Sequence, residues 1–196
     1  QSAGHSAITV LGRSGRSKQL DAGSMKNIAT AAVRLVRCDV SDSEEVGGIY
    51  SRGNINQGSC SGGTQLPPTS SVLHAGGVLA DATVGNQCAK GFGSALAPKI
   101  IGLRKVKNVL MNAGATQRVT VFSSIASLLG AAGQANYAAA NGGLDRWAST
   151  AQAAGLPGVS MQWGAWGGPG VKGMAAADPG GVLSRMRRLG FGVLAP

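Results

Sequence analysis

Aromatic side chains are scarce in this 196-residue chain, which has three Phe, three Trp and two Tyr. Cysteine and acid are scarce too, with three Cys, and eight Asp and Glu against 18 Lys and Arg. Cys38, Cys60 and Cys88 are widely spaced and odd in number, which argues against a disulfide framework and against a zinc site, and suits a reducing compartment. No apolar run reaches the roughly 18 residues that a membrane helix needs. The opening QSAGHSAITV lacks a basic stretch followed by an apolar one, so it does not read as a secretion signal. A cytoplasmic location off the membrane is therefore expected. The first residue is not Met, so the true N-terminus is expected upstream. A formal charge of +10 invites a nucleic-acid partner. The basic residues are scattered, however, and no aromatic platforms lie among them, so a phosphorylated cofactor suits this basic surface better.

What the chain does have is apolar residues at 43% and 32 glycines, a globular composition rich in turns. Its length suits one domain, residues 1–196. Apolar runs at 6–14, 33–40, 70–77, 118–127 and 158–164 read as strands. Helices are expected at 17–32, 41–50, about 85–113, 134–154 and 181–189. The helix at 41–50 would be capped by Ser41 or Ser43, and 51–69 reads as loop. Strands alternating with helices predict a doubly wound, Rossmann-like α/β fold with a parallel sheet. Ligands of such folds sit at the carboxyl ends of the strands. There stand the short motifs GRSGRS, CDV, HAGG, SSIAS and WGAWGG.

Ser124 ends a strand 13 residues before Tyr137, at a spacing that can bring both hydroxyls over one carbonyl. The serine would hydrogen-bond the carbonyl oxygen, and the tyrosine would give it a proton as hydride reaches carbon. The same spacing also suits a packing tyrosine and serines that cap a strand end. A phenol with pKa near 10 is a poor acid at neutral pH unless a cation stands close. One helical turn beyond Tyr137, where a lysine would serve, stands Asn141. The candidate cations are Lys90, Lys99, Lys105 and Lys107. Arg13, Ser14 and Arg16, after the first strand, stand where dinucleotide folds meet the adenosine ribose, and arginine there suits a 2′-phosphate. Asp39 is placed to touch adenine or to cap the next helix. A formal G-x-G-x-x-G occurs at 168–173, but it follows the last strand, where a dinucleotide fingerprint does not belong.

The order of TVLGRSGR, CDVSD, LHAGGVLADAT, APKIIG, VFSSIASLLGAAGQANYAAAN, GLPGVSMQWGAWGGPGVKGM and LGFGVLAP resembles the ketoreductase domain of polyketide synthases, a branch of the short-chain dehydrogenase/reductase superfamily. The likeness runs from about Ile8 to Pro196, and the ketoreductase of animal fatty acid synthase is a near neighbour. It implies NADPH-dependent reduction of a β-ketoacyl group on an acyl carrier protein to a β-hydroxyacyl group, among neighbouring synthase domains. In that branch the lysine comes from the preceding helix, here Lys99 in PKIIG. The implied roles are Ser124 polarising the ketone, Tyr137 giving the proton, Lys99 lowering its pKa and Asn141 ordering the relay. Cofactor contacts are implied at Arg13, Ser14, Asp39, Val40, His74, Ala75, Gly76 and Tyr137, and substrate contacts at Asp81 and Trp163. Asp81 stands where the Leu-Asp-Asp signature has its second aspartate, and Ala80 replaces the first.

The sequence departs from that pattern in several places. The family's first strand, glycine-rich turn and first helix have no counterpart here, nor has the structural subdomain that precedes them. In the sheet order 3-2-1-4-5-6 that strand is central, so two strands are expected to lack a partner. An internal piece of a larger polypeptide, inactive alone, is therefore expected. Gly142 and Gly143 interrupt the tyrosine helix, each at a cost of up to about 1 kcal/mol against alanine, and HAGG replaces HAAG. Two other functions fit fewer of these features: a non-catalytic structural domain of a synthase, and a stand-alone reductase of a free ketone.

Overall fold

The computed structural model describes residues 7–14, 32–52, 70–112, 118–166, 187–188, 190–192 and 194. The expected helix at 17–32, most of the loop at 51–69 and the G-x-G-x-x-G at 168–173 lie outside them. So does most of the helix expected at 181–189, of which Arg187 and Arg188 are described and helical. The chain divides into two compact units, each discontinuous in sequence. One comprises Gln1–Val72 and Ala97–Arg118, the other Leu73–Leu96 and Val119–Pro196.

In the first unit, strands β1 (Ala7–Gly12) and β2 (Ala32–Arg37) pair in parallel, Ala7 opposite Ala32 and Gly12 opposite Arg37. Helix α1 (Ser43–Arg52) follows, and α3 (Gly102–Asn112) packs against it. Cys38, Val46 and Val106 are buried between these elements, with Leu11, Val40, Val72 and Val109 around them. The cap of α1 is neither Ser41 nor Ser43. Asp42 Oδ1 accepts the amides of Glu44 and Glu45 at 2.8 and 3.1 Å, because Asp42 is the residue that immediately precedes the helix and faces its orphan N–H groups.

The second unit holds most of the parallel sheet β3-β4-β5, formed by Ser71–His74, Arg118–Ser124 and Gly158–Trp163. Among the described residues β1 pairs with β2 alone and β3 with β4 alone. On β4, Val119, Val121 and Ser123 are buried, the alternation of a strand with one covered face. Helix α5 (Ala135–Ala153) packs on β5 and on α2 (Ala89–Leu96). A Cβ on Gly158 would come within 2.9 Å of Ala151 Cβ, so glycine there admits the helix to the strand.

The helical region expected at about 85–113 is present but varies in type along its length. Residues Val84–Asn86 form a 3₁₀ turn, α2 follows, and Ala97–Ile101 is a π-helical turn before α3. Pro98 accounts for the π-helical turn, since its ring excludes an α-type bond there. A short helix, α4 (Ala126–Leu129), also stands in the excursion between Ser124 and Tyr137. Gly130 and Gly133, with φ of 70° and 78°, turn the chain from α4 into α5, in a backbone region that favours glycine.

Candidate active site

Tyr137 stands in the first turn of α5 and Ser124 is the last residue of β4. The second unit brings them together, since the side chains of Ser124 and Asn141 both hydrogen-bond toward the phenol. Burial is the larger effect and pushes the Tyr137 pKa up; those hydrogen bonds pull it down, and the Asp81 carboxylate pushes it up again. Asn141 is fully buried, and its Nδ2 donates to the Tyr137 carbonyl at 2.9 Å. Its Oδ1 has no hydrogen-bond partner among the described residues. A buried acceptor left open in this way calls for a water or a ligand group.

Asn136 fixes the start of the helix. Its Oδ1 accepts the Tyr137 amide at 2.7 Å, while Nδ2 donates to the Ala80 carbonyl at 2.6 Å and to that of Gly91 at 3.4 Å. The residues around Asp81 are tied to the same helix end, because Gln134 Nε2 donates to Asp81 Oδ2 at 2.9 Å and the Ala82 amide to the Gly133 carbonyl at 2.9 Å. Asn136 is a residue that the sequence reading missed, although it adjoins Tyr137 and a fully buried amide needs several partners. His74 ends β3 and is buried, and Ala75 and Gly76 follow it. Trp163 ends β5, with its ring 5.4 Å from Phe122 and 5.2 Å from Trp166. Its indole N–H is buried with no acceptor among the described residues.

Lys99, Arg13, Ser14, Asp39 and Val40 belong to the first unit. Lys99 stands in the π-helical turn and is 3% exposed. Of the four candidate lysines it alone is buried; Lys105 Nζ donates to the Ser41 carbonyl. Gly102 closes the PKIIG motif, and a Cβ there would meet Val40 Cγ2 at 2.7 Å. That glycine therefore lets the helix rest on the turn after β2. Arg13 and Ser14 are exposed in the turn after β1. The neighbouring turn after β2 is tied to this one, as the Cys38 amide donates to the Gly12 carbonyl at 3.0 Å and Arg37 Nε to the Arg13 carbonyl at 3.3 Å. The Ser41 hydroxyl and amide on Asp39 Oδ1, followed by weaker help from Arg13 and Lys105, hold the Asp39 carboxyl below the usual range. An exposed guanidinium and a carboxylate thus stand at the ends of adjacent strands, a donor and an acceptor that fit the adenosine end of a nicotinamide cofactor. Among the described residues no group of His, Cys, Asp and Glu could hold a metal ion, and no helix is long and apolar enough to cross a membrane.

The family model of the KR domain matches residues 1–168. The chain belongs to the KR-domain family. It is 36% identical over 168 residues to the phenolphthiocerol synthesis polyketide synthase type I Pks15/1 of Mycobacterium marinum, covering 86% of this chain and 7% of that protein. A relative from Mycobacterium tuberculosis, 34% identical over 86% of this chain and 10% of its own length, is a type I polyketide synthase that carries the word inactive in its name. Among solved structures, the PlmKR1 ketoreductase from the first module of phoslactomycin biosynthesis in Streptomyces gives a TM-score of 0.76 at 26% identity, over 96% of this chain and 41% of that one. A C2-type ketoreductase from a modular polyketide synthase gives 0.72 at 28%, over 99% and 38%. The chain thus spans a tenth or less of those two synthases and about two fifths of those two ketoreductase chains. Its fold is the Rossmann-like arrangement of parallel strands and helices expected from the sequence.

Proposed function

We propose that this KR domain reduces a β-ketoacyl group, carried as a thioester on an acyl carrier protein, to the β-hydroxyacyl group within a polyketide synthase. NADPH, when bound, supplies the hydride. Ser124 then donates a hydrogen bond to the ketone oxygen, and Tyr137 gives that oxygen its proton as negative charge builds there. The observation that carries this reading is the Ser124–Tyr137–Asn141 cluster, in which hydroxyl and amide groups meet a half-buried phenol. Lys99 serves as the cation that brings the phenol into a usable range, and the open Oδ1 of Asn141 holds a water that returns the proton. Arg13 and Ser14 take the 2′-phosphate, Asp39 and Val40 the adenine, and His74, Ala75 and Gly76 line the cofactor further along. Asp81 and Trp163 face the acyl chain.

The test is NADPH oxidation with an acyl-carrier-bound β-ketoacyl thioester, in the synthase polypeptide that carries this domain. Tyr137→Phe is expected to lower kcat by about 10²- to 10⁴-fold. Full activity in that variant would remove Tyr137 from the reaction. A second reading has one observation in its favour: within its own unit the phenol is shifted away from acidity, not toward it. A domain kept only for architecture needs no cofactor, so failure of the wild-type protein to bind NADPH in a fluorescence titration would favour that role.

A further inference from the structure

We propose that Asp145 is a positioning residue for Ser124, a role that rests on the reading of Ser124 as the group that polarises the ketone. Asp145 stands on α5, eight residues after Tyr137. Four polar side chains converge on its carboxylate. Ser127 Oγ donates to Oδ2 at 2.6 Å, Gln162 Nε2 to Oδ2 at 2.9 Å and Ser160 Oγ to Oδ1 at 2.5 Å. The Ser123 hydroxyl completes the set and also lies 3.3 Å from the Asn141 carbonyl. No cation is among these partners, and no described ion pair includes Asp145. A half-buried carboxylate held only by neutral donors points to geometry rather than charge pairing as its use.

The partners enclose Ser124. Ser123 precedes it, and Ser127 follows in α4 with its Oγ 2.8 Å from the Ser124 carbonyl. Ser160 and Gln162 come from β5, in register with Val121 and Ser123 of β4. The Ser124 hydroxyl oxygen accepts the Ala126 amide at 3.2 Å, and the Ile125 amide donates to the Trp163 carbonyl at 3.0 Å. The direction of that hydroxyl is therefore set by the turn into α4. Asp145 pins this turn to the helix that carries Tyr137, so it governs how Ser124 and Tyr137 meet. Its two oxygens do different work: Oδ2 holds the turn through Ser127, and Oδ1 holds β5 through Ser160.

The test compares those two arms. Ser127→Ala and Ser160→Ala each remove one hydrogen bond to the same carboxylate, so both are expected to lower thermal stability by similar amounts. If Asp145 positions Ser124, the loss in kcat for Ser127→Ala exceeds that for Ser160→Ala by about fivefold or more, with KM little changed in either. Asp145→Asn, which retains volume and one acceptor, is expected to lower kcat about tenfold, and Asp145→Leu by about a hundredfold. Equal kcat losses in the two serine variants, or a normal kcat in folded Asp145→Leu, would overturn the proposal. Amide exchange gives a readout independent of turnover. In Asp145→Asn the amides of Ala126 and Ser127 should exchange about tenfold faster while those of β4 keep their protection. Faster exchange across the whole chain would mean a purely structural role. If the wild-type protein reduces nothing, the functional reading has failed, and exchange still decides whether Asp145 holds the turn.

Discussion

A half-buried phenol and a buried lysine pose the same chemical difficulty from opposite sides. Burial holds the Tyr137 proton more tightly, and burial of the Lys99 ammonium costs free energy unless something receives its charge. On the function proposed above, in which Lys99 is the cation for Tyr137, Lys99→Ala is expected to raise the phenol's pKa. The acid form then persists to higher pH, the alkaline limb of the pH–rate profile moves up, and kcat at neutral pH falls by about a hundredfold. An unchanged profile would assign the cation to another lysine. Ser124, Tyr137 and Asn141 were legible in the sequence because their spacing follows strand end and helix turn. Asn136 and Asp145 were not, since an amide or carboxylate in a helix looks like any surface residue until its partners from other elements are known.

Glycine carries the opposite meaning in two helices. At Gly142, inside α5, a Cβ would meet nothing within 4 Å. Gly142→Ala is therefore expected to raise stability by up to about 1 kcal/mol, read from urea unfolding. At Gly102 the Cβ would strike Val40, so Gly102→Ala should cost about 1–3 kcal/mol. Val40→Ala in the same protein should recover part of that loss, and a fully additive double variant would show that the close approach is irrelevant. The sequence placed all five strands, because their apolar runs are short and bounded by glycine or polar residues. It read one helical region at 85–113 where there are four elements, a 3₁₀ turn, α2, a π-helical turn and α3, since periodicity does not register a single extra residue in a turn. The cap of α1 was misassigned because Ser41, Asp42 and Ser43 are all good caps, and only backbone direction chooses among them.

Acid stability of the whole molecule follows from two aspartates whose carboxyls are both held below their usual range, Asp39 by Ser41, and Asp145 by its hydrogen bonds in spite of burial. Groups of this kind contribute stability above the unfolded carboxyl pKa of about 4 and lose it as pH falls through the lower folded value. The thermal midpoint is therefore expected to fall below about pH 4, and less steeply in Asp145→Asn, which has no carboxylate to protonate. Parallel curves for the two proteins would show that Asp145 does not contribute. By itself the sequence determined the order of strands along the chain, the fold class and the family, all of which are patterns local to a few neighbouring positions, and the resemblance to that family supplied the four residues proposed for chemistry. Tertiary structure alone decided that burial raises the Tyr137 pKa, that Asn136 ties three segments together, and that one carboxylate gathers side chains from two strands and a turn. Those properties depend on desolvation and on hydrogen bonds between residues far apart in the chain, and no local pattern encodes either.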